Sequence, residues 1–346
     1  MTVRFASQEE IANWNNLILN NPDMGNVFQA KSFADIKQFN RWTPRFIIAD
    51  NLSFLVLERQ VPSLGQFWYI PKGPGIKTTS QLENLIPNLR QFAKQNNVFA
   101  IKLEPELLET PDNIQELTRL RLVKSRAIQA ANTVVIDLSP PIEDIVANFT
   151  SKTRGNIRAG EKAGVTTKIV PVNDENCRIF YDLMTKTIGG RSHVRNYEYF
   201  KKYWQKYAES NNGLFVFAYH EGEIQAMDFI MTLGTKAARK DAASVRDHAI
   251  RGASAFLEME VIKYLKQNGI TEYDLYGSPP STELKNPAHP YYGFGTFKAG
   301  FNREIVTDYI GCYDLVIKPN AYKIWRKIGE RIVQKIHRQK YRDLYY

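Results

Sequence analysis

Four cations in TSKTRGNIRAGEKAG (150–164) are the residues whose spacing points most directly to chemistry. Arg154, Arg158 and Lys162 recur every four residues, which stacks them on one helix face, and Lys152 adds a charge near the start. Glu161 alone offsets them, and Gly164 supplies a stop. Like charges at this spacing repel unless an anion relieves them, so the face suits phosphate; the alternative is a solvated basic surface. In WYIPKGPG (68–75) a strand runs into a loop carrying Lys72. Such a loop can bring N–H groups and an ammonium to a phosphate, or be a plain turn; it is no P-loop. In GTFKAGF (295–301), Lys298 sits among aromatics and glycines, placed to meet a developing oxyanion or, from a strand, to snorkel to water. Glu104 in KLEP and Asp274 in YDLYG are acids at strand ends, and Asp241 lies among small residues in RKDAAS. Such an acid can orient an attacking amine, or serve as a cap.

Other chemistries lack their residues. The histidines His193, His220, His248, His289 and His337 show no metal-ligand spacing, and there is no GxSxG elbow or catalytic-cysteine signature. Two cysteines, Cys177 and Cys312, make no disulfide framework and suit a reducing compartment. No metal or cofactor is expected.

The elements that must position these residues form two halves. A chain of 346 residues, 43% hydrophobic, is long enough for two domains with real cores. Its +10 charge favours an anionic partner. The N-terminus has no apolar leader core and no apolar run is long enough to span a membrane, so a soluble cytoplasmic protein is expected. The run TVVIDL (133–138) reads as a strand, with Ser139 as N-cap and Pro140 opening a helix. The ProPro pair marks the domain boundary, giving domains 1–139 and 140–316. Strand pairs turn at Asp50-Asn51 in the first half and at Glu221-Gly222 in the second. Each half then has a helix ending in Lys-Gln-Asn, at 94–96 and 266–268, followed by a strand. This suggests two copies of one α/β domain. The stretch 321–346 reads as one long helix with Ile324, Ile328, Ile332 and Ile336 in an apolar stripe. Docking of that helix on the core leaves a basic face for solvent; tRNA or anionic lipid are the functional alternatives.

Taken in order, these segments resemble the Fem (FemABX) family of peptidoglycan bridge-forming aminoacyltransferases, in its armless, FemX-like kind. TVVIDLS with SKTRGNIRAGEKAGV, VRNYEYF (194–200), HEGEIQA (220–226), ITEYDLYGS and GTFKAGF carry the likeness, with FADIKQ and YIPKGPG near the N-terminus. The resemblance implies an α/β fold of two tandem GNAT-like (acyl-CoA N-acyltransferase) domains, with the C-terminal helix 317–346 packing back on the first.

It also implies a reaction. An amino acid held as an ester on tRNA is attacked by the side-chain amine of residue three of a muramyl pentapeptide, UDP-linked or lipid-linked. Aminoacyl-tRNA and that precursor are the implied partners of a monomer, with a peripheral hold on the inner membrane face as an option. Lys37 in FADIKQ, with Arg195 and Tyr199 in VRNYEYF, matches the precursor site, and Lys298 matches the oxyanion-stabilising lysine. Two positions depart from the pattern. Glu104 stands for an aspartate, with Phe99 at a tyrosine position, and Asp241 replaces a tyrosine of the peptide pocket. Competing readings are an acyl-CoA-dependent N-acyltransferase, with IRGASAF (250–256) as its pyrophosphate loop, and a non-catalytic RNA-binding relative.

Overall fold

The computed structural model describes residues 2–189 and 195–346, so His193 and Val194 lie outside the described residues. Its strands run in chain order as β1 (Val3–Phe5), β2 (Thr43–Ala49), β3 (Leu52–Val61), β4 (Gly65–Ile70), β5 (Val98–Leu103) and β6 (Val123–Ser125). Then come β7 (Asn132–Thr133), β8 (Val135–Asp137), β9 (Thr166–Val170), β10 (Gly213–His220), β11 (Glu223–Leu233), β12 (Lys236–Ser244), β13 (Glu272–Asp274), β14 (Thr307–Asp308) and β15 (Cys312–Val316). The chain divides into two compact units, 1–131 with 309–346, and 132–308. The expected joins, 139/140 and 316/317, therefore move to 131/132 and 308/309. Strand pairing is the reason: β8 joins the second sheet and β15 the first.

In the first unit the sheet order is β1-β2-β3-β4-β5-β15-β6. Asp50, with φ +48°, turns β2 into β3. Only β4 and β5 pair in parallel, and such a pair needs a crossover. Helix Thr79–Gln95 supplies it, opened by a reciprocal capping box between Thr78 and Gln81. Leu82, Leu85, Ile86, Leu89 and Ala93 follow the helical period and are its buried face, in one core cluster with Trp68 and Ile101.

The second unit repeats this plan as β9-β10-β11-β12-β13-β8. Glu221 (φ +49°) and Gly222 (φ +86°) give the β10–β11 hairpin the left-handed pair that a two-residue turn requires. The parallel pair is β12–β13, and its crossover is helix Ala253–Gln267. The repeated Lys-Gln-Asn now has a job. The side-chain amides of Asn96 and Asn268 each donate to the carbonyl four residues back, both at 2.8 Å, and each closes its helix before the parallel strand. The fold is thus α/β with two domains built on one plan, as expected.

Two local expectations change. Asp137 Oδ1 accepts both the backbone N–H (2.8 Å) and the hydroxyl (2.7 Å) of Ser139, which holds Ser139 in a turn. The helix starts later, at Ile142–Ala147, with Pro141 as its N-cap. The C-terminal stretch is two α-helices, Pro319–Ile324 and Glu330–Tyr341, joined by a wide π turn at Trp325–Gly329. It docks in the first unit through Tyr322, Trp325, His337 and Tyr345, all buried, with Trp325 against Phe67 and Phe99. The four isoleucines expected to face the core are instead 49–55% exposed.

Candidate active site

A bulge in β12 organises the second unit's charges. Phe229 pairs with Asp241 but the next residue, Ile230, pairs with Arg239, so Lys240 is the extra residue. The bulge puts Arg239 and Asp241 on opposite faces. Arg239 joins the side of Ile230, under helix Ala253–Gln267. There its Nε and Nη2 donate to Asp228 Oδ1 at 2.8 and 2.5 Å, and its Nε lies 2.9 Å from Glu258 Oε2. All three are buried. Burial pushes the Asp228 carboxyl up and the Glu258 carboxyl up to about 7. Burial also opposes the Arg239 charge, but the two carboxylates outweigh it and raise that group.

Lys298 belongs to this neighbourhood. It lies on helix Tyr292–Ala299, not on a strand, and is buried rather than snorkelling to water. Its Nζ donates to the carbonyls of Tyr276 (2.5 Å) and Gly277 (3.0 Å), with the Phe294 ring 5.0 Å away. Tyr276 (φ +50°) and Gly277 (φ +87°) are consecutive left-handed residues after β13. Asp274 holds that turn by accepting the Tyr276 N–H at 2.7 Å, and it also accepts the Thr133 hydroxyl. Burial pushes Lys298 down to about 7, and the positive field of Arg239 pushes the same way.

A row of contacts leads away from the lysine. Lys240 Nζ stands 5.3 Å from the Tyr276 ring and 5.6 Å from the Tyr203 ring. Tyr203 and Tyr199 have centroids 6.0 Å apart, and the Arg195 guanidinium lies 4.2 Å over Tyr199. Arg195, Tyr199 and Lys298 are thereby linked through Lys240. Asp241 lies beside the row, accepting from Trp204 Nε1 at 2.9 Å and pairing with Lys240 at 3.2 Å.

The basic segment forms helix Ser151–Lys162. Lys152, Arg158 and Lys162 are exposed, while Arg154 turns back to donate to the Phe149 carbonyl. Its Gly160 backs onto Gly252, whose φ is +88° and where a Cβ would lie 2.1 Å from the Asn156 carbonyl oxygen. The glycine of IRGASAF therefore permits a close helix crossing, which covers the start of helix Ala253–Gln267 where a pyrophosphate would sit.

In the first unit Glu104 is wrapped. Oε1 accepts from the N–H groups of Ile128 (3.0 Å) and Gln129 (2.8 Å) and lies 3.1 Å from Cys312 Sγ; Oε2 accepts from Tyr69 at 2.5 Å. Lys72 (φ +45°) donates to the Ala130 carbonyl at 2.8 Å, pairs with Glu106 at 3.3 Å and lies 5.0 Å from the Tyr309 ring. Lys37 is buried on helix Lys31–Phe39, 5.1 Å from the Phe33 ring. Phe99 packs on Trp325.

The cluster of Asp228, Arg239 and Glu258 escaped the sequence reading. The usable signal was a charge interrupting an apolar run, Asp228 in AMDFIM and Glu258 in AFLEMEV. Among the described residues no group of three His, Cys, Asp or Glu could hold a metal ion, and no helix is long and apolar enough to cross a membrane.

Known proteins share this architecture. A lipid II:glycine glycyltransferase of Staphylococcus epidermidis is 21% identical over 392 aligned positions, covering 90% of this chain and 92% of that protein. The crystal structure of FemX superposes with a TM-score of 0.78 at 17% identity, covering 95% of this chain and all of that one. L-PGS from Bacillus licheniformis superposes with a TM-score of 0.55 at 14% identity, covering 95% of this chain and 97% of that one. The FemAB family model matches residues 116–237 and 242–329, and the stretch 238–241 between them contains the β12 bulge. Since the match takes in more than half of the chain, the protein belongs to the FemAB family.

Proposed function

We propose that this protein moves an aminoacyl group from tRNA onto the side-chain amine of residue three of a peptidoglycan precursor pentapeptide. The amine nitrogen attacks the ester carbonyl carbon, a C–N bond forms, and the bond to the ribose oxygen breaks. The proton lost by the amine ends on that oxygen, and no cofactor is consumed. The ester is already activated, so holding amine and ester together supplies much of the rate.

Lys298 carries the reading. It is buried within the matched stretch 242–329, anchored by two carbonyls, and joined by a row of contacts to Arg195 and Tyr199. Burial holds its pKa near 7, and a bound polyanion raises it and completes its charge when an oxyanion must be stabilised. Arg195 and Tyr199 are proposed to hold the precursor, and Lys152, Arg158 and Lys162 the tRNA phosphates; Lys37 and Lys72 of the first unit are proposed as phosphate contacts in their own right. Asp241 stands where the resemblance expects an aromatic ring and so alters the peptide pocket, and Glu104 is proposed to position the amine. The name of the staphylococcal relatives supports glycine and a lipid-linked precursor as the first substrates to test.

Purified protein is given bulk aminoacyl-tRNA with UDP-linked and, separately, lipid-linked pentapeptide, and the precursor is weighed by mass spectrometry. A gain of one amino-acid residue is expected. No gain on either precursor, or acetyl-CoA turnover without tRNA, overturns the proposal.

A further inference from the structure

The C-terminal stretch presents a surface that the transfer reaction does not use. Ile324, Ile328, Ile332 and Ile336 are each about half exposed, although the same helix has Trp325 and His337 to bury. On a regular α-helix a four-residue spacing drifts by about 40° per step, so four isoleucines would spread over about 120°. The π turn at Trp325–Gly329 contains one extra residue and sets the helix back by about 100°, which returns Ile332 and Ile336 to the line of Ile324 and Ile328. The result is a straight apolar ridge facing solvent.

Charge identifies what covers it. Between 319 and 342 there are eight lysines and arginines, all exposed, and a single acid. That acid, Glu330, accepts from the Tyr346 hydroxyl at 2.5 Å and so is turned inward. A second copy docking on this ridge would bring two such basic faces together, which repel. Nucleic acid would answer the cations and leave the isoleucines without a partner. An anionic bilayer answers both, because apolar side chains enter the acyl boundary while lysine and arginine meet the headgroups.

We infer that the ridge of Ile324, Ile328, Ile332 and Ile336, with its flanking cations, docks this protein in the plane of an anionic lipid surface. The inference stands apart from the proposed reaction, since binding is read without any transfer.

The test is co-sedimentation with vesicles of equal phosphatidylglycerol and phosphatidylcholine, and with phosphatidylcholine alone. Wild type should bind the anionic vesicles, weaken as salt is raised, and leave the neutral vesicles largely unbound. The triple variant Ile328→Ser, Ile332→Ser, Ile336→Ser, checked for unchanged melting, should partition at least about tenfold less, because each residue removes an inserted side chain. As a second measurement, Ile332→Cys carrying an environment-sensitive dye should shift to the blue on anionic vesicles. Absence of binding, equal binding by the triple variant, or an unshifted dye overturns the inference. So does a wild-type dimer that the triple variant abolishes. If vesicle docking fails while UDP-linked precursor is still modified, the transfer reading survives it; if docking holds and no precursor is modified, the reverse is true.

Discussion

Two buried lysines, one in each unit, meet opposite fates. Lys102 on β5 of the first unit donates to Asp314 at 3.0 Å and to Ser125 at 2.7 Å. Burial opposes its charge most strongly, but Asp314, Cys312 and Glu330 together outweigh burial and the lysine's pKa is raised. Asp314 is itself held by the Tyr322 and Ser125 hydroxyls, both at 2.9 Å. Lys298 in the second unit has carbonyls as its closest acceptors and Arg239 as a cationic neighbour, and its pKa falls to about 7. Burial alone therefore does not decide the charge of a lysine; the group within hydrogen-bond reach does. The first is a closed structural pair. The second is anchored by backbone carbonyls, and an incoming anion is what the proposed reaction would bring to it.

Removing the partner should break the first pair most severely. Asp314→Ala leaves Lys102 buried without its carboxylate and should cost about 3–5 kcal/mol in urea unfolding at neutral pH. A loss under about 1 kcal/mol would mean that the pair is not what holds Lys102. Lys298→Met should behave otherwise, with turnover down at least about tenfold while stability at pH 6 is unchanged or higher, because no carboxylate is orphaned. An unchanged rate would remove Lys298 from the chemistry.

The pH dependence of stability sharpens the contrast. Lys298 titrates near 7 when folded and near 10.5 when unfolded, so between those values the unfolded chain binds more protons. Its contribution to stability therefore rises with pH across that window, and Lys298→Met should flatten the rise. Lys102 has the opposite sign: its contribution is complete below the ordinary lysine value and is lost as pH climbs past it. Melting temperatures of both variants across pH 6–11 would expose an equal response if the distinction were false.

The smallest effect concerns the shared frame. Asn96→Ala and Asn268→Ala each delete one amide-to-carbonyl bond at equivalent helix ends, and each should cost about 1 kcal/mol. Widely different costs would argue that only one end still depends on its asparagine.

Much of the frame was legible beforehand. The turns at Asp50-Asn51 and Glu221-Gly222 and the paired Lys-Gln-Asn ends are local, and the same residues do those jobs in the folded protein. The helix carrying Arg158 and Lys162 was equally readable, but the fate of Arg154, spent on the Phe149 carbonyl, was not. Nor was the loss of Gly252 as a phosphate-loop residue, since the backbone that crosses it lies about ninety residues upstream.

What the sequence determined by itself is therefore periodicity, turns, caps and the doubling of one domain plan, because each depends on neighbours within a few residues. Tertiary structure decided the rest. It chose which distant strand joins each sheet, β15 between β5 and β6 in the first and β8 beside β13 in the second, and so moved the joins between units. Through the β12 bulge and helix Ala253–Gln267 it gathered Asp228, Arg239 and Glu258. It also turned a four-isoleucine stripe away from the core that Trp325 and Tyr345 already filled. An apolar stripe satisfies a protein core or a lipid surface equally well, and a buried lysine is charged or neutral according to atoms contributed from distant parts of the chain.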